Sequence, residues 1–247
     1  MNEEKTRNLY IGTSGWHYKH WIGSFYPEEL PKKNMLKYYV QFFSSVEINN
    51  SFYKLPDQTT FQNWSEQAPV NFIFSVKASR YITHMKKLKN VSSSLNLFLE
   101  AIKPLKNHLG PILFQLPPKW KCNIERLNSF LKILPSEKKY AFEFRDSSWW
   151  NDDVYRLLAN GKTAFCIFEL AAILSPIILT ADFVYIRLHG PDNAYQGLYS
   201  EKTLIKWAEK IKSWNNKGKE VFCYFDNDQS GFAVKNALQL KKIITNI

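Results

Sequence analysis

Along this chain, short apolar segments with strand-like alternation repeatedly end in polar residues, and most are followed by apolar positions three and four apart, the spacing of one helix face. The clearest segment is Tyr140-Ala-Phe-Glu-Phe-Arg145. Its aromatic residues alternate onto one face, and Glu143 and Arg145 share the other. Charge in a strand covered on both sides is tolerated mainly where strands open into a site. Val46-Glu-Ile-Asn49, Phe74-Ser-Val-Lys77, Leu113-Phe-Gln115, Ile186-Arg-Leu-His189 and Tyr224-Phe-Asp226 repeat the arrangement.

Helical spacing predicts buried faces at Leu36, Tyr39, Val40 and Phe43, at Phe61 and Trp64, and at Leu95, Phe98, Leu99 and Ile102, with Pro104 bending or ending that helix and Gly110 closing the unit. Further faces follow at Ile124, Leu127, Leu131 and Leu134, from about Trp150 to Gly161, at Leu204, Trp207, Ile211 and Trp214, and at Ala233, Ala237, Leu240 and Ile244. The stretch after residue 168 is interrupted by Pro176, so the sixth helix is expected to be short or irregular. Strands starting near 9, 45, 72, 111, 140, 163, 183 and 221 leave room for right-handed β-α-β crossovers. The expectation is α/β: a single (β/α)8 TIM-type barrel domain over residues 1–247, with an irregular sixth helix. A doubly wound sheet would want G-x-G-x-x-G after the first strand, and Gly12-Thr-Ser-Gly15 lacks that spacing.

Composition narrows this further. The 247 residues are 45% hydrophobic and 16% aromatic, enough for a large core and against disorder. Lys and Arg number 33 against 22 Asp and Glu, a net charge of +11 that would attract nucleic acid, anionic lipid or an acidic substrate. Among the few arginines, Arg80, Arg145 and Arg187 fall at or just after strand ends, whereas the lysines mostly decorate helices and loops, where solvation explains them. Cys122, Cys166 and Cys223 are odd in number without C-x-x-C spacing, against a disulfide framework or structural zinc. The amino-terminal residues lack an apolar core, and no apolar run reaches the ~18 residues of a membrane span. A cytoplasmic protein with no membrane partner is expected.

The strand ends supply the candidate chemistry, because loops at the carboxyl face of such a barrel surround its opening. Glu143, Glu47 and His189 are the candidate acid–base groups, His189 because imidazole titrates nearest neutrality. Arg145 and Arg187 are a candidate clamp for phosphate or carboxylate, with Lys77 as a point charge. Asn49, Gln115, Asp226 and Asp228 complete the polar set, and Trp16 and Tyr53 offer flat faces to a sugar or base. Trp149 offers another, although buried aromatics are more often core. The plain alternative is that Glu143 pairs with Arg145 or Arg187, and Glu47 with Lys77, only to satisfy buried charge. Five scattered histidines without H-E-x-x-H give no metal motif, and neither metal nor cofactor is expected.

Ile11-Gly-Thr-Ser-Gly-Trp16, Val46-Glu-Ile-Asn49 with Ser51-Phe-Tyr53, Val76-Lys77 with Ile82-Thr-His84, and Gly110 to Pro118 carry a resemblance along the first half of the chain. Glu143-Phe-Arg145 with Ser148-Trp149, Thr180-Ala-Asp182, Arg187-Leu-His-Gly190, and Tyr224-Phe225 with Asn227-Asp228 carry it to the end. In these motifs and their order the chain resembles the YecE-like family, domain of unknown function 72. The resemblance implies a (β/α)8 fold and carries over no catalytic roles. Asp146 stands where a histidine is common, and Phe168-Glu169 where an aspartate often closes the sixth strand. The residues themselves suggest an enzyme, a hydrolase or isomerase doing acid–base chemistry on a small phosphorylated or carbohydrate-like ligand. The alternative is a nucleic-acid-binding or phosphodiester-cleaving protein.

Overall fold

The computed structural model describes residues 8–246. The alternating segments form β1 (Leu9–Thr13), β2 (Ser45–Ile48), β3 (Ile73–Lys77), β4 (Leu109–Leu116), β5 (Tyr140–Phe144), β6 (Ala164–Leu170), β7 (Ile173–Leu174), β8 (Phe183–Leu188) and β9 (Glu220–Phe225). The helices are α1 (Met35–Tyr39), α2 (Asn50–Tyr53), α3 (Gln58–Gln67), α4 (Ser92–Ile102), α5 (Ile124–Leu131), α6 (Asp152–Asn160), α7 (Glu201–Asn216) and α8 (Phe232–Asn246). The strands are hydrogen-bonded in the order β1-β9-β8-β6-β5-β4-β3-β2, with β7 added antiparallel to β6. This is the (β/α)8 TIM-type fold.

Two compact units can be distinguished. The first takes in the described residues up to Val46, Ile167–Ser175, and the described residues from Asp182 onward; the second is Glu47–Cys166 with Pro176–Ala181. In the first, β1 pairs with β9 in parallel from Leu9↔Val221 to Thr13↔Phe225, and Tyr10 stacks on Phe222 with ring centroids 4.7 Å apart. Gly12 of β1 lies against the start of β2, where a Cβ would stand 2.1 Å from the Ser45 carbonyl oxygen, so only glycine fits. On the neighbouring strands Tyr185 and Tyr224 pack together, and the Tyr224 hydroxyl is 2.6 Å from Ser45 Oγ.

In the second unit, β5 explains why the pattern was so clear. Phe142 and Phe144 face outward, packing with Phe130 of α5, Trp149 and Phe165, while Ala141 and Glu143 face the other way, in register with Leu113 and Gln115. Asn151 caps α6 by accepting from Val154 N, and Asp152 and Asp153 lie in its first turn, where the helix dipole favours them.

Several expectations change in detail. The predicted first helix stops at Tyr39, since Gln41 and Phe42 bond back three residues, not four, and tighten the chain into turns. In α5, Leu127 and Phe130 are the buried pair; Ile124 opens the helix half exposed, and Leu134 falls beyond its end. Gly110 does not close a helix but lies inside β4, where a Cβ would meet Ile73 Cγ2 at 2.5 Å. The sixth connection carries no helix among the described residues: β6 runs on to Leu170, turns through Ala171 and Ala172 at positive φ, and pairs Glu169 with Leu174. The segments after β2 and β3, to which no element was assigned from the sequence, are helical at α2 and a π-turn at Tyr81–Met85.

Candidate functional site

In the first unit, β8 and β9 run side by side with Arg187 opposite Tyr224, and their ends bring Arg187, His189 and Asp226 together. Arg187 and His189 are fully buried. Asp226 Oδ2 lies 2.9 Å from His189 Nδ1 and 3.2 Å from an Arg187 terminal nitrogen, and the other Arg187 terminal nitrogen stands 3.2 Å from His189 Nε2. Because guanidinium only donates, Nε2 is the acceptor and the ring proton sits on Nδ1, facing the carboxylate. Arg187 also reaches Ser14 Oγ at 3.4 Å. The imidazole in this arrangement links an arginine to a carboxylate.

Two residues further along, Asp228 Oδ1 accepts from the Trp21 indole at 2.8 Å, and Oδ2 lies 2.8 Å from His20 Nε2. Burial pushes the Asp228 carboxyl up to about 6, against the pull of Trp21 and His20 and with a further push from the Asp226 charge. His20 keeps 44% of its side-chain surface exposed, so this pair runs from a buried carboxylate to solvent. His20 was absent from the sequence-derived set; it lies in the loop after β1, and nothing in the local sequence ties it to Asp228.

In the second unit, Glu143 is fully buried and bonded to Arg145 Nε, the pairing that alternation along β5 allows. The Cys166 thiol lies 3.8 Å from Glu143 Oε2. Lys77 at the end of β3 places its ammonium 4.2 Å from the Phe52 ring centre, and the Phe52 ring meets His84 edge-on at 4.9 Å. His84 is lowered to about 4, first by burial and then by the charges of Lys77, Arg80 and Arg145.

The remaining candidates are placed as follows. Glu47 is fully buried on β2, and Gln115 donates back to the Leu116 carbonyl at 2.9 Å. Asn49 Oδ1 is buried without a hydrogen-bond partner among the described residues. Tyr53 is 73% exposed, whereas Trp16 is buried and offers no open face; Trp149 is core, donating to the Trp120 carbonyl. The two positions that depart from the family pattern have local roles: Asp146 accepts from Ser148 N, and Glu169 lies 3.4 Å from the Trp207 indole nitrogen. No group of three or more His, Cys, Asp or Glu among the described residues is disposed to hold a metal ion. Among them, too, no helix is long and apolar enough to cross a membrane.

Charged side chains buried at strand ends of an eight-stranded α/β framework are those of a (β/α)8 protein. The chain belongs to the family described as protein of unknown function DUF72, whose model matches residues 10–246. The UPF0759 protein YunF of Bacillus subtilis is 25% identical over 96% of this chain and 94% of its own. A DUF72 family protein of Thermotoga maritima has a crystal structure that superimposes with a TM-score of 0.87 at 31% identity, over 96% of this chain and 98% of that one. A DUF72 family protein of Enterococcus faecalis, 21% identical with a TM-score of 0.78 over 97% and 98% of the two chains, shares the fold.

Proposed function

We propose that this protein is an enzyme doing acid–base chemistry on a small phosphorylated or carbohydrate-like substrate at the carboxyl ends of its strands. The observation that carries the reading is that Arg187 and Glu143, both without exposed surface, are each held by an opposite charge at a strand end. Desolvating such ions costs several kcal/mol each, and a buried pair seldom stabilises more than apolar residues of the same volume. Stability alone therefore gives little reason for them, whereas chemistry does. In the second unit Glu143 serves as general base with Glu47 as the second carboxylate, and Arg145 and Lys77 hold anionic oxygens; in the first, Arg187 is an anion-holding group beside which His189 and Asp226 fix the proton arrangement.

The test is a turnover screen against phosphorylated sugars and related small molecules, followed by variants. Glu143→Gln and Arg145→Ala should each lower kcat/KM by about 100-fold or more, with an unchanged circular dichroism spectrum. Full activity of both variants on the substrate so identified would remove these residues from the site.

A further inference from the structure

The second unit carries a group of cations that the acid–base reading uses only in part. Lys77 leaves β3 with its ammonium against one side of Phe52, and His84, in the π-turn Tyr81–Met85, packs on the same ring. Arg80 directly precedes that turn and is exposed, while Arg145 arrives from the end of β5 with 7% of its side chain exposed. Thr83 donates to the Ser79 carbonyl at 3.3 Å and lies 2.9 Å from His84 Nδ1, so Nδ1–H donates to Thr83 and Nε2 is the proton-accepting position. Every charged group that shifts His84 is a cation: Lys77, Arg80 and Arg145. Like charges placed around a half-buried imidazole repel its proton, and an oxyanion among them would reverse that balance.

We propose that Lys77, Arg80, His84 and Arg145 bind the phosphate group of a ligand, with Phe52 as the apolar wall and Arg80 and His84 at the solvent side. The chemistry matches the ligand. Arginine presents two parallel donors to a tetrahedral oxyanion, lysine a point charge, and His84 gains a second donor at Nε2 when the anion draws a proton onto it. π-turns occur often at functional sites, and this one carries His84 within it and Arg80 at its amino-terminal cap, four residues apart. The exposed rings of Tyr53, beside Phe52, and Tyr81, under the Lys86 ammonium, offer the rest of such a ligand flat surfaces. The proposal rests on the reading of Lys77 and Arg145 as anion-holding groups and names what they hold.

The experiment is calorimetric titration of the full chain with inorganic phosphate near pH 6.5 at low salt, with NMR observation of the His84 imidazole. Phosphate should bind, Arg80→Ala and His84→Asn should each weaken it at least tenfold, and Lys89→Ala, on the neighbouring exposed loop, should not. Saturating phosphate should move the His84 titration up from about 4, a readout that a merely structural role would not give. A parallel titration with a short single-stranded oligonucleotide distinguishes the source. Binding by phosphate that depends on Arg80 assigns a monoester; binding by the oligonucleotide alone, with the same dependence, assigns a nucleic-acid backbone. If neither ligand binds, or both bind equally to Arg80→Ala with His84 unmoved, the site is wrong. Loss of turnover in Glu143→Gln would then still stand for the acid–base reading.

Discussion

Asp228 is a carboxyl group whose position works against its charge. It is largely buried, with the Trp21 indole donating to one oxygen, His20 beside the other and Asp226 close by, and burial raises it from 3.8 to about 6. An acid whose folded value is raised stabilises the fold fully below its unfolded value and loses that contribution as pH climbs through the folded one. Ionised Asp228 is therefore a burden above about pH 6. Asp228→Asn keeps an acceptor for Trp21 without the charge. It should raise the melting temperature at pH 8, by an amount corresponding to on the order of 1–3 kcal/mol, and have little effect at pH 4. Calorimetric scans at the two pH values check this, and a destabilised variant at pH 8 would contradict it. The same residue marks what the sequence could not disclose. Asp226 and Asp228 were visible as polar residues closing a strand, but His20, more than 200 positions away, is identified only when the chain returns to it.

Among the elements, agreement was best where a period had a single explanation. β5, α7 and α8 lie where alternation or helical spacing put them, because each has one apolar face and short polar flanks. Agreement failed where backbone geometry, not side-chain pattern, decides. No periodicity announces the turn at Ala171 and Ala172, or a π-turn that spreads Ile82 and Thr83 inward while Tyr81 and Met85 stay exposed. Gly190, at φ +125°, is similar: a Cβ there would stand 2.3 Å from the Gln196 carbonyl oxygen, so the loop after β8 closes on itself only through glycine. That loop is then fastened to α8 by Asn236, which accepts from Tyr199 N at 3.0 Å and Asn227 Nδ2 at 3.0 Å and donates to Tyr199 O at 3.1 Å. Asn236→Ala would strand these buried groups together. A loss of roughly 2–4 kcal/mol is expected, read as a lower midpoint in urea; an unchanged midpoint would mean the loop is held by other contacts.

For the molecule as a whole, the order of strands matters more than the sum of its contacts. Neither unit is a continuous length of chain: the first includes β1 and its partner β9, and the second has β3 paired with β4 across the long connection containing Lys86, Lys87 and Lys89. That connection is exposed at all three lysines. Limited trypsin digestion should cut there first, as at other exposed polar loop tips. The two pieces should nonetheless elute together from a sizing column and separate only in denaturant, since each unit keeps a backbone ladder between the fragments. Immediate separation would mean the ladders are weaker than the strand pairing implies.

The glycine-tight approach of β1 to the start of β2 fixes β1 in place, and its pairing with β9 makes the early and late parts of the sequence dependent on each other. A gene interrupted between the codons for Lys86 and Lys87 would encode halves that each lack partners for their own strands. Such halves should complement each other, a reporter signal arising only in cells that make both.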